Sequence, residues 1–496
     1  MATEKKKLIT TPTLVLMIIS TIYGFGNVSI AYAQMSYAGM FWYIIGGICF
    51  FFPCCLMMAE YGSAFNEAKG GIYSWLAGSI GEKLAFIGTF IWLASWVLWI
   101  VSSASRLWIT LSALLFGRDT TQSWHIGSLG STQLIGILAI IFVIVVTWLS
   151  SRGINGITKI SSFGGAFMII MNFIFIFASL ITIVANHGVP AQPIDGIKTF
   201  FVSPNPSFQT PIAIISFVVY AIFAYAGMEN LGGVTDSMKN PSKTFPKGLT
   251  IDAVLTIGSY VLMIVMTGFS VNYNQVIAKL SVNLGNVTYV VFHRLGYMMG
   301  VSLGLSHGVN LFLGDLFTRL IALAGLMGML GAMFILVYTP IKSFIMGSNP
   351  DLWPARVTKL NRHGMPAFAM WVQAVIVSVI IFLVAFGGSA ASSFYQILTD
   401  MGNVSTCAPY IFLVGAFPAF QRKDIPREFI AFKNRFWTMV LVWFVEIIVC
   451  LGIIFTCIQP ILDHDYQTAF WTAIGPIFFG IVAWVLYDYA SKHARA

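Results

Sequence analysis

The sequence predicts an all-α integral membrane protein: about twelve transmembrane helices in one domain, with two of the helices interrupted near their middles. Of the 496 residues, 58% are hydrophobic and only 9% are charged, a balance that is too apolar for a soluble protein of this length. Charge-free runs recur that match the roughly 20 residues needed to cross about 30 Å of hydrocarbon. Glycine-rich interruptions fall within the first and sixth runs.

Each apolar run is interpreted as one membrane span, as in the stretch MFWYIIGGICFFFPCCLMM at 40–58. The connections between runs are too short for a soluble domain, so the function must reside in the helix bundle. A helix at the membrane surface is expected near 281–297. The predicted spans, numbered 1 to 12, cover 8–35, 40–66, 84–116, 132–149, 155–186, 211–237, 247–271, 309–344, 367–388, 393–418, 434–458 and 467–489.

Basic residues are distributed unevenly between alternate connections. Of the 27 lysines and arginines, 21 fall on the side of the termini, and only Arg118, Lys198, Lys279 and Arg294 fall in connections on the other side. Because cytoplasmic loops are rich in Lys and Arg, we expect a multi-pass protein of the cell membrane with both termini in the cytoplasm. The same asymmetry explains the net charge of +9, and no nucleic-acid partner is expected.

The motifs of common enzyme classes are missing. The seven histidines include no pair at i, i+4, which excludes a His-Glu-x-x-His zinc site, and no Walker-type phosphate loop occurs. The six cysteines all lie within predicted spans and indicate no disulfide framework. We therefore expect neither an enzyme nor a bound cofactor or metal.

The interruptions of spans 1 and 6 are the most informative feature. Span 1 contains TIYGFGN at 21–27, and span 6 contains FAYAGMEN at 223–230. A straight helix satisfies its own backbone groups, whereas unwinding beside an internal cavity frees N–H and C=O groups at mid-depth. For Gly24 and Gly26 alone, close helix packing is the alternative interpretation. The second interrupted span favours a functional break.

Two broken spans that lie five apart predict an inverted repeat. The first five-helix unit would cover 8–186 and the second 211–418, and two additional helices would cover 434–489. Because the repeat has an odd number of spans, its two copies would run in opposite directions through the membrane.

The freed backbone groups predict the chemistry of the ligand. The second half of span 1, beginning near Asn27, would offer N–H groups and a positive dipole end to a carboxylate. Carbonyl groups freed around Tyr23 and near 223–226 would accept hydrogen bonds from an ammonium group. The implied ligand is a small zwitterion.

Five motifs in sequence order resemble one known family. They are Gly24-Phe25-Gly26, MMAEYGSAFNEAKGGIYSW between spans 2 and 3, FAYAGMEN followed by MKNPSKTFPKG, LWPARVTKLNRHGMPAFAM between spans 8 and 9, and STCAPYIF at the end of span 10. Across essentially the whole chain they resemble the amino acid-polyamine-organocation (APC) superfamily of transporters. The resemblance is greatest to the glutamate/4-aminobutyrate antiporter group and to an inner-membrane branch near it.

The resemblance implies a leucine-transporter-type fold and amino acid exchange or uptake by alternating access. It assigns the substrate carboxylate to the backbone at Gly24 and Gly26, the span 6 break to Ala226 and Gly227, and an aromatic gate to Phe223. The substrate-binding residues that we expect on spans 1, 3, 6 and 8 are Tyr23, Gly24, Phe25, Gly26, Asn27, Ile91, Trp96, Phe223, Ala226, Gly227, Met333 and Phe334.

Ionisable groups within a bilayer are costly, so each one needs a role. Glu229 matches an acidic residue that the family uses in gating or proton response; the alternative is a carboxylate that caps freed N–H groups after the break. Glu60 and Lys69 are expected to form a gate network at the cytoplasmic mouth. Glu446, outside the repeat, is expected to serve packing or a contact in a homodimer.

One departure from the family pattern bears on coupling. Where proton-coupled relatives often carry a lysine in span 5, this chain has Met168, which favours exchange. We expect a secondary active amino acid antiporter whose partners are an amino acid or amine substrate and the lipid bilayer. The alternatives are a proton-coupled amino acid or polyamine permease and, from a different class, a transporter-like amino acid sensor.

Overall fold

The computed structural model describes residues 9–66, 68–279, 282, 286–388, 404, 407–462 and 464–493. Within these residues, ten helices are long and apolar enough to cross a membrane, and one bent pair of helices would make eleven. The described secondary structure is helical apart from two isolated β-bridges. This confirms the all-α membrane architecture.

Nearly every predicted span corresponds to a helix whose ends lie within two turns of the expected positions. Span 1 is the bent pair Thr11–Ile22 and Phe25–Met35, and span 6 is the α-helix Pro211–Phe223 followed by a 3-10 segment, Met228–Ser237. Of predicted span 10, residues 393–403 and 405–406 lie outside the described residues; Ala408–Gly415 and Phe417–Arg422 are the described helices of this region. The other spans are Ala38–Ala64, Glu82–Phe116, Ser131–Ser150, Ile154–Ala185, Pro241–Ser270, His307–Gly347, Ala367–Phe386, Arg435–Leu462 and Tyr466–His493.

Contacts between connections show which ends of the spans lie together. A parallel β-bridge joins Ile9, just before span 1, to Met238, just after span 6. Nε of Arg427, between spans 10 and 11, lies 3.4 Å from Oε1 of Glu60 near the end of span 2. These contacts define one face of the bundle, called the N-terminal face below.

The opposite face is assembled from the remaining connections. The Ser203 hydroxyl donates to the Gln34 carbonyl at 2.8 Å, and the Asn272 amide donates to the Ala191 carbonyl at 2.9 Å. Between spans 7 and 8 this face carries the helix Val287–Ser302. A surface helix was predicted here, but it packs into the bundle rather than lying beside it, with buried residues that include Val291, Phe292 and Leu295.

The first half of span 1 is wedged between spans 5 and 7. A Cβ atom added at Gly165 would lie 1.9 Å from the Leu16 carbonyl oxygen, and one added at Gly248 would lie 2.5 Å from a methyl carbon of Leu14. Both glycines therefore allow close helix approach, as small residues do in membrane proteins. This packing holds the first half of span 1 close to spans 5 and 7.

Candidate functional site

Span 1 breaks at two residues in extended conformation, Tyr23 (φ −74°, ψ 127°) and Gly24 (φ −139°, ψ 125°). The two half-helices are bent by 46°. The second half begins at Phe25 without a side-chain cap, and the N–H of Asn27 donates to the Gly24 carbonyl at 3.0 Å. No described residue accepts a hydrogen bond from the N–H groups of Phe25 and Gly26. These two donors are therefore available to a ligand.

Span 6 breaks differently. Its α-helix ends at Phe223, and after a short turn the chain continues as a 3-10 helix from Met228. Gly227 joins the two with a φ of 122°, a left-handed conformation that favours glycine because it has no Cβ. The break predicted at Ala226 and Gly227 is thus a real change of helix type.

Glu229 is buried directly after this break and accepts four hydrogen bonds. The donors are the Tyr410 hydroxyl at 2.7 Å, the Gly227 N–H at 3.0 Å, the Trp92 indole N–H at 3.1 Å and the Asn230 amide at 3.3 Å. Four donors offset much of the cost of burying a carboxylate. The contacts support the interpretation of Glu229 as a cap that also ties spans 3 and 10 to the break.

Tyr260 of span 7 bridges the two breaks. Its hydroxyl oxygen lies 3.2 Å from the carbonyl oxygens of Ile22 and Ala224, 3.3 Å from the Gly24 nitrogen and 3.0 Å from Asn27 Nδ2. Tyr260 could not be identified from the sequence, because a single tyrosine in an apolar span has no distinctive pattern. Its contacts make it the link between the two unwound segments.

A cavity of about 650 Å³ lies against both breaks. It reaches Thr110, near the end of span 3 on the opposite face, where Thr110 Oγ1 lies 3.5 Å from the hydroxyl of Tyr289. The predicted residues that line it are Tyr23, Gly24, Phe25, Gly26, Asn27, Trp96, Phe223 and Ala226. Lining residues that were not predicted as binding residues include Trp99, Met168, Tyr220, Met329 and Ala332.

Four predicted binding residues do not line this cavity: Gly227, which forms the span 6 break without reaching the cavity wall, and three others. Ile91 is buried but extends toward span 12, and Met333 and Phe334 are buried on other faces of span 8. The wall on span 8 is formed instead by Met329 and Ala332. Each residue turns an α-helix by about 100°, so a small register error rotates a side chain out of a site.

The expected gate network of Glu60 and Lys69 is also revised. Glu60 is fully buried; it forms an ion pair with Arg427 and accepts a hydrogen bond from the N–H of Ala431 at 3.1 Å. Lys69 is exposed and takes part in none of these contacts. Glu60 therefore anchors the connection after span 10.

A different ion pair closes the N-terminal face. Nζ of Lys342 in span 8 lies 2.5 Å from Asp236 and 2.7 Å from the Gly233 carbonyl oxygen, with both charged side chains largely buried. Together with the bridge between Ile9 and Met238, it holds the ends of spans 1, 6 and 8 together. None of the residues in these closing contacts is among the described residues that line the cavity.

Two further predictions concern residues near the site. Met168, aligned where some relatives carry a lysine, does line the cavity, and one turn later Asn172 accepts from the Tyr23 hydroxyl at 2.8 Å. Glu446 lies against Gly415 of span 10 in the same chain. Its contact is therefore one of internal packing and offers no support for a homodimer.

Comparison with known proteins gives matches over nearly the full length. A family model described as amino acid permease matches residues 9–486. The inner membrane transporter YjeM of Salmonella typhimurium is 43% identical over 482 residues, which cover 97% of this chain and 96% of that protein. The aspartate/glutamate permease AcaP of Lactococcus lactis subsp. cremoris is 23% identical over 468 residues, 92% of this chain and 89% of that protein.

The glutamate/gamma-aminobutyrate antiporter of Lactococcus lactis subsp. lactis is 24% identical over 388 residues, 78% of this chain and 71% of that protein. These matches confirm the resemblance that the five motifs carry. The chain belongs to the amino acid permease family of the APC superfamily and is a multi-pass membrane transporter rather than an enzyme.

Proposed function

We propose that the protein is a secondary active antiporter that exchanges amino acids, or the amines formed by their decarboxylation, by alternating access. The observation that carries the proposal is the pair of N–H groups of Phe25 and Gly26, which begin a half-helix beside a cavity of about 650 Å³ without a partner among the described residues. Backbone donors at a helix N-terminus suit a carboxylate.

The ammonium group of the substrate would bind on the carbonyl side of the same breaks. The Tyr260 hydroxyl has a single proton, so it can donate to only one of the two carbonyls at 3.2 Å, those of Ile22 and Ala224. Both residues line the cavity. One carbonyl oxygen therefore remains able to accept from an ammonium group.

The remaining walls favour a substrate with an uncharged side chain. They include Trp96, Trp99, Tyr220 and Phe223, and no lining residue within the described part of the chain is charged. A second charge on the substrate would have to be buried without a counterion, which is unfavourable. This argues against a polyamine, and it distinguishes the proposal from the acidic substrates in the names of the distant relatives.

Exchange, orientation and repeat are part of the same proposal. Met168 in the cavity wall supports exchange, since no lysine is available there to take up a proton. We infer from the distribution of basic residues that the N-terminal face is cytoplasmic. The breaks in spans 1 and 6 support an inverted repeat over 8–186 and 211–418, with 434–489 outside it.

The test is uptake of radiolabelled amino acids by purified protein in proteoliposomes that are preloaded with single amino acids, with their amines, or with nothing. We expect uptake that requires an internal substrate and is weak in empty vesicles. Uptake into empty vesicles driven by a pH gradient would instead indicate a coupled permease. Binding of an amino acid without any transport would indicate a sensor.

A matched pair of glycine substitutions tests the site itself. A Cβ at Gly26 would have its nearest neighbour, Thr288 Oγ1, 4.0 Å away, whereas a Cβ at Gly165 would clash with Leu16. We expect Gly26→Ala to fold normally, because the added methyl group meets no close neighbour. Its exchange rate should fall at least about tenfold, which corresponds to about 1.4 kcal/mol, because the methyl group enters the cavity. Gly165→Ala is expected to unfold at a lower temperature. Unchanged exchange in Gly26→Ala would refute the carboxylate site.

A further inference from the structure

Asp252 is a carboxyl group buried in the middle of span 7, with none of its surface exposed. Its Oδ2 atom has no hydrogen-bond partner among the described residues, and Oδ1 lies 3.5 Å from the Thr256 hydroxyl. Glu229 and Glu60, by contrast, each accept several hydrogen bonds. Asp252 is therefore buried without the donors that a charged carboxylate needs.

Among the residues that the structure describes, none supplies a positive charge next to Asp252. The groups that face it are Cys55 of span 2 and, on its own helix, Thr256 and Tyr260. Span 1 carries no charged residue between 11 and 35, and Lys159 of span 5 is exposed. In the 3-10 segment of span 6, Glu229 accepts from Tyr410 and Asp236 pairs with Lys342. An unpaired buried charge is strongly unfavourable, so this conformation accommodates the neutral acid.

We propose that Asp252 is a proton-binding site that holds a proton while the N-terminal face is closed and releases it to water when that face opens. The inference rests on the proposed alternating-access function and adds a proton to it. The transferred species is a single proton, which passes from the carboxyl group to water at the N-terminal face and returns when the face closes.

Helix geometry connects this group to the substrate site. Asp252, Thr256 and Tyr260 follow one another at i, i+4 and i+8, so they share one face of span 7 over about 12 Å. Tyr260 contacts both breaks. A change in the charge of Asp252 therefore affects the same helix face as Tyr260, the residue that contacts both breaks.

A layer of aromatic rings separates Asp252 from the N-terminal face. Phe245 lies two turns before Asp252 on span 7, and its ring centroid is 6.0 Å from that of Trp75, which stacks on Tyr61 at 5.7 Å. All three rings are buried. Opening the N-terminal face would separate this layer and admit water, in which the charged carboxylate becomes favourable.

The test measures exchange by reconstituted full-length protein as a function of pH, with equal pH on both sides. The ratio of closed to open conformations should fall by up to about tenfold per pH unit once Asp252 titrates, so the wild-type exchange rate should depend on pH; a rate that does not change with pH would overturn the proposal. Asp252→Asn, which mimics the protonated acid, should lose this dependence and keep the acid-pH rate. Asp252→Ser carries the same prediction if the asparagine variant does not fold.

Glu446→Gln provides the matched comparison, because Glu446 is another membrane carboxyl with an unpartnered oxygen. It should retain the wild-type pH profile; a profile lost in Glu446→Gln and kept in Asp252→Asn would overturn the proposal. If the wild type exchanges nothing at any pH, the proposed function fails while the proton site can still be tested. The wild-type Tm should then fall with rising pH, more steeply than that of Asp252→Asn, because the folded state retains the proton more strongly. Equal slopes would refute the site.

Discussion

Removing the hydroxyl of Tyr260 tests whether the two breaks are held together as the contacts indicate. In Tyr260→Phe the ring remains, but four polar contacts of 3.0 to 3.3 Å are lost. A hydroxyl donates one hydrogen bond and accepts two, so up to three bonds count at once. At about 1 kcal/mol net for each bond, the loss is about 3 kcal/mol at most.

Part of this loss should fall on substrate binding. The hydroxyl orients Gly24 and Asn27, which flank the free N–H groups of the second half-helix. If about 2 kcal/mol of the loss affects binding, the affinity falls by about 30-fold, since 1.4 kcal/mol corresponds to a factor of ten. The assay is equilibrium binding, by purified protein, of the amino acid that the exchange panel identifies, with thermal unfolding measured in parallel.

The matched control is Tyr32→Phe. Tyr32 is another fully buried tyrosine, and its hydroxyl donates to the Val271 carbonyl at 2.7 Å, away from the breaks. This variant should lose about 1 kcal/mol of stability and bind substrate as the wild type does. If Tyr260→Phe binds substrate with wild-type affinity, the hydroxyl does not organise the site and the reasoning is wrong.

Two other predictions concern buried charges. Glu229→Gln replaces one acceptor oxygen with an amide donor among four existing donors. We expect this variant to lower the free energy of unfolding, measured by thermal unfolding, by about 2 to 4 kcal/mol. Glu446→Gln should lower it by less than about 1 kcal/mol. Wild-type stability in Glu229→Gln would argue against the capping role. Lys342→Met removes the cation beside buried Asp236 and should lower the free energy of unfolding by about 3 to 5 kcal/mol, because it leaves a buried charge unpaired. The double variant Lys342→Met/Asp236→Asn should recover most of this stability. Equal losses in the single and double variants would show that the pair is not what stabilises this region.

The sequence predicted the spans and both breaks because their signals are local. Long charge-free runs determine the spans, and the positive φ at Gly227 favours glycine, whereas Gly24 is in an ordinary extended conformation. The span 1 residues that were predicted to bind substrate accordingly line the cavity, and their role in binding stays a prediction. On span 8, Met333 and Phe334 were expected to line the site, but Met329 and Ala332 line the cavity instead. An apolar helix of 41 residues has no polar pattern from which its rotation about its axis can be predicted.

The residues missed entirely are those whose role depends on long-range contacts. Tyr260 contacts groups more than 230 residues away on span 1, and Lys342 pairs with Asp236 across 106 residues. Asp252 lies in a span that was predicted to begin at 247, although the helix begins at Pro241. A proline fits the first turn of a helix because its missing N–H has no partner there. The earlier start places Asp252 three turns inside the helix.

The number of interactions that close the N-terminal face bears on how alternating access can work. Two backbone hydrogen bonds join the chain around Ile9 and Met238, at 3.2 and 2.9 Å, and one ion pair joins Lys342 to Asp236. The backbone bonds contribute about 1 kcal/mol each, and the ion pair offsets much of its own desolvation. A shift from 1:99 to 99:1 between two conformations needs about 5.5 kcal/mol of differential binding. If the proposed alternating access operates, differential binding of this order has to break these contacts and also separate the rings of Phe245, Trp75 and Tyr61.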